Sequence, residues 1–144
     1  MNNPQWGKAT EDLAISIQTA RPRYKVGDPV TLDVRLKNVG KTPTRIVVRP
    51  DWGDYTLEVR RGSAVVPRTP FAEQMIEAAA LGPRANAELG PGEVRTSRFE
   101  LDKGFDLSAP GSYKVIVTRG TYKKGTLDQF VTVTSNDLTL QIDP

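Results

Sequence analysis

The chain reads as an all-β antiparallel sandwich of seven to nine strands, and three observations predict it. Val30, Leu32, Val34 and Leu36 alternate with Thr31, Asp33, Arg35 and Lys37, the period-two pattern of a half-buried strand. Short runs of this kind recur along the chain, separated by glycine, proline and asparagine turns. A Pro110-Gly111 turn then feeds Tyr113-Lys114-Val115-Ile116-Val117, in which Tyr113, Val115 and Val117 fall on one face.

Taken in order, residues 13–17 alternate as a first strand, and 24–28 read as a turn with Gly27 and Asp28 at its corner. The strand at 30–37 ends at Asn38-Val39-Gly40, where Asn and Gly tolerate tight backbone. Residues 45–49 form a third strand, closed by Pro50. Tyr55, Leu57 and Val59 share a face on a fourth, which turns at 61–63 into a short return stopped by Pro67. One helical insert is predicted near 70–81. Thr69 suits the cap, Pro70 the first turn, and Phe71, Met75 and Ala79 recur at helical spacing before Gly82-Pro83. Residues 84–92 read as a loop and 94–101 as a strand. The 119–125 segment reads as a hairpin tip, and 127–134 as its return. Ser135-Asn136-Asp137 interrupts the alternation before Leu138, Leu140 and Ile142 resume it, which predicts a bulge or kink at Ser135-Asn136 that lets the last strand continue on the sheet. The expected core includes Ile15, Ile17, Ile46, Val48, Phe99, Leu101, Val131 and Val133 beside the alternating residues already named. At 144 residues one domain is expected over 1–144, with 1–11 irregular.

Composition narrows the function classes. The chain has no histidine and no cysteine. Ser-His-Asp and Cys-His catalysis and the usual zinc sites are therefore excluded. Asp or Glu chemistry is what remains, so the expectation is no enzyme, no cofactor and no metal. The net charge is +3, but the basic residues are spread over alternate strand positions, which predicts no nucleic-acid surface. The same Lys and Arg residues defend strand edges, so a monomer is expected. No run of 18 apolar residues predicts a transmembrane segment. The first six residues lack a signal pattern. Export to the periplasm or exterior with a signal peptide removed is the favoured compartment, and the cytoplasm is the alternative.

Binding is expected on loops held by a rigid scaffold. Asp51-Trp52-Gly53-Asp54 places two carboxylates and a tryptophan on one loop, without the ligand spacing of a calcium site. Trp52, Asp51 and Asp54 are candidate ligand contacts, with Tyr122 in the hairpin tip, Phe71 in the insert and Trp6 near the start. Each has a structural alternative: Trp52 capping the core, Trp6 folding onto an edge, and the helix stripe covering an open end. Tyr113, Pro110, Gly111 and Asn38 read as structural.

Several motifs resemble known families. A tyrosine just after a Pro-Gly turn, as in Pro110-Gly111-Ser112-Tyr113, resembles the corner of an immunoglobulin-like (fibronectin III-like) sandwich, in which the hydroxyl bonds back to the chain. The spacing of Thr19, Pro22, Tyr24, Gly27 and Val30 is similar to the opening of macroglobulin-type domains. Asn38-Val39-Gly40, then Tyr55-Thr56-Leu57-Glu58-Val59, Gly62, Phe71, Pro91-Gly92-Glu93 and Pro110-Gly111-Ser112-Tyr113 resemble, in that order, the bacterial intracellular proteinase inhibitor family. Val65-Val66-Pro67-Arg68 stands where that family carries a Trp-rich segment. The whole chain resembles Ig-like domains of exported bacterial proteins, whose late Ser-Asn is matched by Ser135-Asn136. These resemblances imply a non-catalytic binding or spacer module meeting a protein or glycan partner through its end loops. The alternative is a proteinase inhibitor presenting a loop to a protease cleft.

Overall fold

The computed structural model describes residues 4–126 and 128–144. The elements are β1 (Leu13–Thr19), β2 (Arg23–Lys25), β3 (Thr31–Asn38), β4 (Thr44–Val48), α1 (Asp51–Asp54), β5 (Thr56–Arg61), β6 (Ala64–Val65), α2 (Pro70–Leu81), β7 (Ala85–Leu89), β8 (Val94–Glu100), α3 (Leu101–Gly104), β9 (Gly111–Tyr122), β10 (Phe130–Thr134) and β11 (Leu138–Asp143). One sheet has the order β1-β3-β8. The second has the order β2-β11-β9-β5-β6, with β10 also paired to β9. A ribbon of β4 and β7 completes the strands. The inward faces share one hydrophobic cluster.

Alternation drives this arrangement. In β3, Leu32, Val34 and Leu36 are fully buried while the intervening residues reach solvent. Each such side chain contributes about 1.5–3 kcal/mol on burial. In β9, Tyr113, Val115 and Val117 are buried, and the alternation continues inward through Arg119 and Thr121. The Tyr113 hydroxyl donates to the Ala109 carbonyl at 2.5 Å, closing the turn that Pro110 and Gly111 make. Asn38 is wholly buried. Its amide donates to the Thr42 and Leu89 carbonyls, each at 2.8 Å, and its carbonyl accepts from Gly40 N–H at 2.9 Å.

The break at 135–137 keeps the chain alongside the same strand, β9. β10 pairs with residues 118–122 of β9, and β11 pairs with residues 111–115 of the same strand. The predicted helix forms over Pro70–Leu81, and the Thr69 hydroxyl accepts from Ala72 N–H at 3.3 Å.

Several expectations are corrected. The segment 84–92 is not all loop, because β7 pairs antiparallel with β4. Its small residues, Ala85 and Ala87, carry too little hydrophobic contrast to announce a strand. Residues 23–25 form β2, paired parallel to β11, so the fold is not wholly antiparallel. The turn there is confined to residues around Gly27, whose φ of +90° suits glycine. The loop 51–54 is a helical turn, and α3 ends the strand expected to reach Leu101. The insert is thus one of three helices among the described residues. Its buried face is Ala72 and Ala79, with Phe71 half-buried and Met75 40% exposed. Val131 is half-buried rather than core, and Leu127 lies outside the described residues.

Candidate binding cleft between β4 and β9

β9 is longer than its neighbour β5. The β5 ladder ends where Thr56 meets Thr118. Beyond that point the edge of β9 faces β4, with no strand ladder between them. Odd-numbered residues of β9 turn their peptide groups toward β10: Ser135 N–H donates to Val117 C=O, and Lys123 N–H donates to Gln129 C=O. The N–H and C=O of Gly120 therefore point the other way, into the gap.

A side chain bridges the gap instead. Arg119 occupies an inward position of β9, and its side chain is 3% exposed. Counting backbone and side chain together, it is the one charged residue among the buried ones described. Its Nη2 donates to the Val47 carbonyl of β4 at 2.6 Å and lies 3.8 Å from Asp54 Oδ1. The guanidinium sits over the Tyr55 ring, 5.0 Å from its centroid. Nε and Nη1 have no hydrogen-bond partner among the described residues, so the ring face takes the place of an acceptor.

Asp54 ends α1, and its side chain is 4% exposed. Its Oδ1 accepts from Arg49 N–H at 2.9 Å. Burial pushes its carboxyl above the ordinary aspartate value, while Arg119, the Arg49 N–H and Arg95 pull it back. Burial likewise pushes the Tyr55 hydroxyl up. Such a pair is costly to desolvate, and removing one member strands the other.

The outer wall is aromatic and basic. Phe130 of β10 lies opposite Tyr122 of β9, with ring centroids 4.6 Å apart. Arg45 of β4 places its guanidinium 5.5 Å from the Tyr122 centroid. Phe130 remains 56% exposed. Between these walls is a cavity of about 190 Å³, lined by Val47, Arg49, Gly53, Asp54, Arg119, Gly120 and Phe130. Larger concavities exist, including one of about 510 Å³ beside β5 and β6, but the buried ion pair opens onto this smaller one. No group of three metal-ligating side chains occurs among the described residues.

The structure divides the candidates found in the sequence. Asp54 lines this cavity, and Tyr122 packs against Phe130, which lines it too. Asp51, Trp52 and Phe71 line a separate concavity under α2. Trp52 is only 8% exposed, packed edge-on against Phe99 at 5.1 Å, so its ring is core and offers no platform. Trp6 is half-buried, with Lys37 Nζ 5.7 Å from its ring. Arg119, Gly120, Phe130, Arg45 and Arg49 escape a reading of loops because all lie in or beside strands. One signal was present: Arg119 is a charge at a core phase of the 113–121 alternation.

No protein-family model matches the chain, and no curated protein matches it. Among solved structures it is similar to part of a β-glucosidase from Erythrobacter marinus, at TM-score 0.45 and 16% identity over 90% of this chain and 15% of that one. It is similar in the same way to part of a β-glucosidase from Listeria innocua, at TM-score 0.44 and 13% identity over 90% of this chain and 16% of that one. The chain thus spans 15–16% of the length of these glucosidases. It is also similar to AvmM, described as catalysing macrocyclization in alchivemycin A biosynthesis, at TM-score 0.50 and 11% identity over 99% of this chain and 97% of that one. At that identity, the likeness to AvmM is one of fold alone.

Proposed function

We propose that the chain is a non-catalytic, immunoglobulin-like binding module that meets a protein or glycan partner across the cleft between β4 and the β9–β10 hairpin. The observation that carries this reading is the exposed Phe130, stacked on Tyr122 and flanked by Arg45 at the mouth of a polar cavity. Exposed aromatic and arginine side chains are the residues that most often dominate binding energy. The immunoglobulin-like assignment is supported by the Tyr113 to Ala109 bond at the Pro110-Gly111 corner. The non-catalytic assignment is supported by the lack of histidine and cysteine and by Asp54, whose near partner is a guanidinium that does not exchange protons at working pH.

The test is binding to glycan and peptide arrays by the wild type and by Phe130→Ser and Arg45→Ala. Each substitution is expected to weaken binding by about tenfold or more. Wild-type protein that binds neither array overturns the reading. Slowing of serine proteases by the wild type would move the assignment to an inhibitor.

A further inference from the structure

We infer that the cavity between β4 and β9 takes a single neutral pyranose ring, such as the terminal residue of a glycan; this rests on the cleft being the binding surface. Size is the first argument. At about 190 Å³ the cavity is below the roughly 300–1,000 Å³ of sites for drug-sized ligands, so one small ring fills it.

Charge is the second. Arg49, Arg119 and, at the mouth, Arg45 disfavour a cation. The Asp54 carboxylate lines the same cavity and offsets one of these charges. An apolar ligand would cover the Asp54 carboxylate without offering it a hydrogen bond. A neutral polyol meets both conditions.

Donor and acceptor chemistry is the third. Asp54 Oδ2 has no donor among the described residues, whereas Oδ1 is held by Arg49 N–H. An acceptor-only carboxylate beside a donor-only guanidinium complements neighbouring hydroxyls, each of which both gives and accepts a hydrogen bond. The Gly120 peptide faces the same wall.

Shape is the fourth. A pyranose presents a face of C–H bonds that packs on an aromatic ring, and Phe130 lines the cavity with its ring fixed by Tyr122. Gly120 keeps that ring open. A Cβ added there would meet only the Phe130 ring edge, at 3.9 Å. Arg119 acts here as a positioning residue, fixing Val47 and Asp54 at the two sides of the cavity.

The test is amide NMR of the intact chain titrated with methyl glucopyranoside, galactopyranoside and mannopyranoside. Binding at roughly millimolar Kd is expected for at least one, with shifts concentrated at the Gly53, Asp54 and Gly120 amides. Gly120→Val adds a branched side chain beside the Phe130 ring at the cavity wall, and is expected to weaken those shifts while the melting temperature holds. Phe130→Ala, at an exposed position, provides a second variant and is expected to weaken binding by about tenfold. No shift at these amides with any of the three glycosides overturns the inference. Peptide binding at Phe130 without glycoside binding overturns the sugar assignment and leaves the binding module standing; neither kind of binding overturns both.

Discussion

One side chain of Asn136 satisfies both peptide groups of Ile17. Its Oδ1 accepts from Ile17 N–H at 2.8 Å, and its Nδ2 donates to Ile17 C=O at 3.2 Å. Ile17 belongs to β1 at the edge of one sheet, and Asn136 to the break between β10 and β11 at the other. An amide side chain can do this because it carries the same donor and acceptor as a strand neighbour. Ser135 completes the break: its Oγ accepts from Val117 N–H at 2.9 Å and donates to Asn136 C=O at 2.7 Å.

Asn136→Ala removes both bonds and leaves a partly buried peptide unpaired. A loss of about 1–3 kcal/mol is expected in urea denaturation. Asn136→Asp retains the acceptor and loses the donor, so it should fall between the wild type and the alanine variant. Equal stability of all three would show that the bridge contributes nothing.

Tyr113→Phe keeps the buried ring and deletes the bond to Ala109. It is expected to cost about 0.5–1.5 kcal/mol. Burial raises the Tyr113 hydroxyl above its ordinary value of 10.0, so the folded protein holds that proton longer than the unfolded chain does. Stability from this group is therefore present below pH 10 and is lost as pH rises through its folded value. Alkaline unfolding curves of wild type and variant should converge; a constant gap would refute the assignment.

The Asp54 carboxyl is also raised, above 3.8, with burial the leading cause. The folded state holds the proton more tightly, so this group's contribution falls as pH climbs from the unfolded value through the folded one. In Asp54→Asn the amide does not titrate, though its oxygen can still accept from Arg49 N–H. The wild type should thus lose stability relative to Asp54→Asn as pH rises from about 3.8 toward neutrality. A difference that grows in the opposite direction would mean that attraction to Arg119 outweighs burial.

Gly104→Ala tests the packing that removes Trp52 from the surface. A Cβ on Gly104 would approach Trp52 Cη2 to 2.6 Å, and the indole is wedged against Phe99 and Phe105. Overpacking here is expected to cost about 1–3 kcal/mol, with a change in tryptophan emission. An unperturbed spectrum and melting temperature would mean the ring is freer than its contacts imply.

Strand-forming segments were legible wherever a large apolar residue alternated with a polar one, as in β3, β5 and β9. β7 was not legible, because Ala85 and Ala87 give a weak period-two signal, and its pairing to β4 spans some forty residues. β2 was hidden for a related reason: three residues are too short a window, and its parallel partner lies at the far end of the chain. The candidate site was half visible. Asp54 and Tyr122 stood out as a carboxylate and an aromatic in connecting segments, but so did Trp52, and nothing local distinguishes a tryptophan at a surface from one closing a core.

By itself, the sequence determined the strand periodicity, the capped helix at Pro70–Leu81, the corner at Pro110 and Gly111, and the absence of histidine and cysteine chemistry. These depend on neighbours within a few residues, where backbone geometry and side-chain order act directly. Only the tertiary structure decided that Arg119 meets Val47 and Asp54, that Asn136 meets Ile17, and that Gly120 and Phe130 wall one cavity. Each such meeting follows from where strand ladders stop and which edges then face each other. That outcome is set by packing the whole core at once, because a side-chain pattern records which way a residue faces and not what lies across from it.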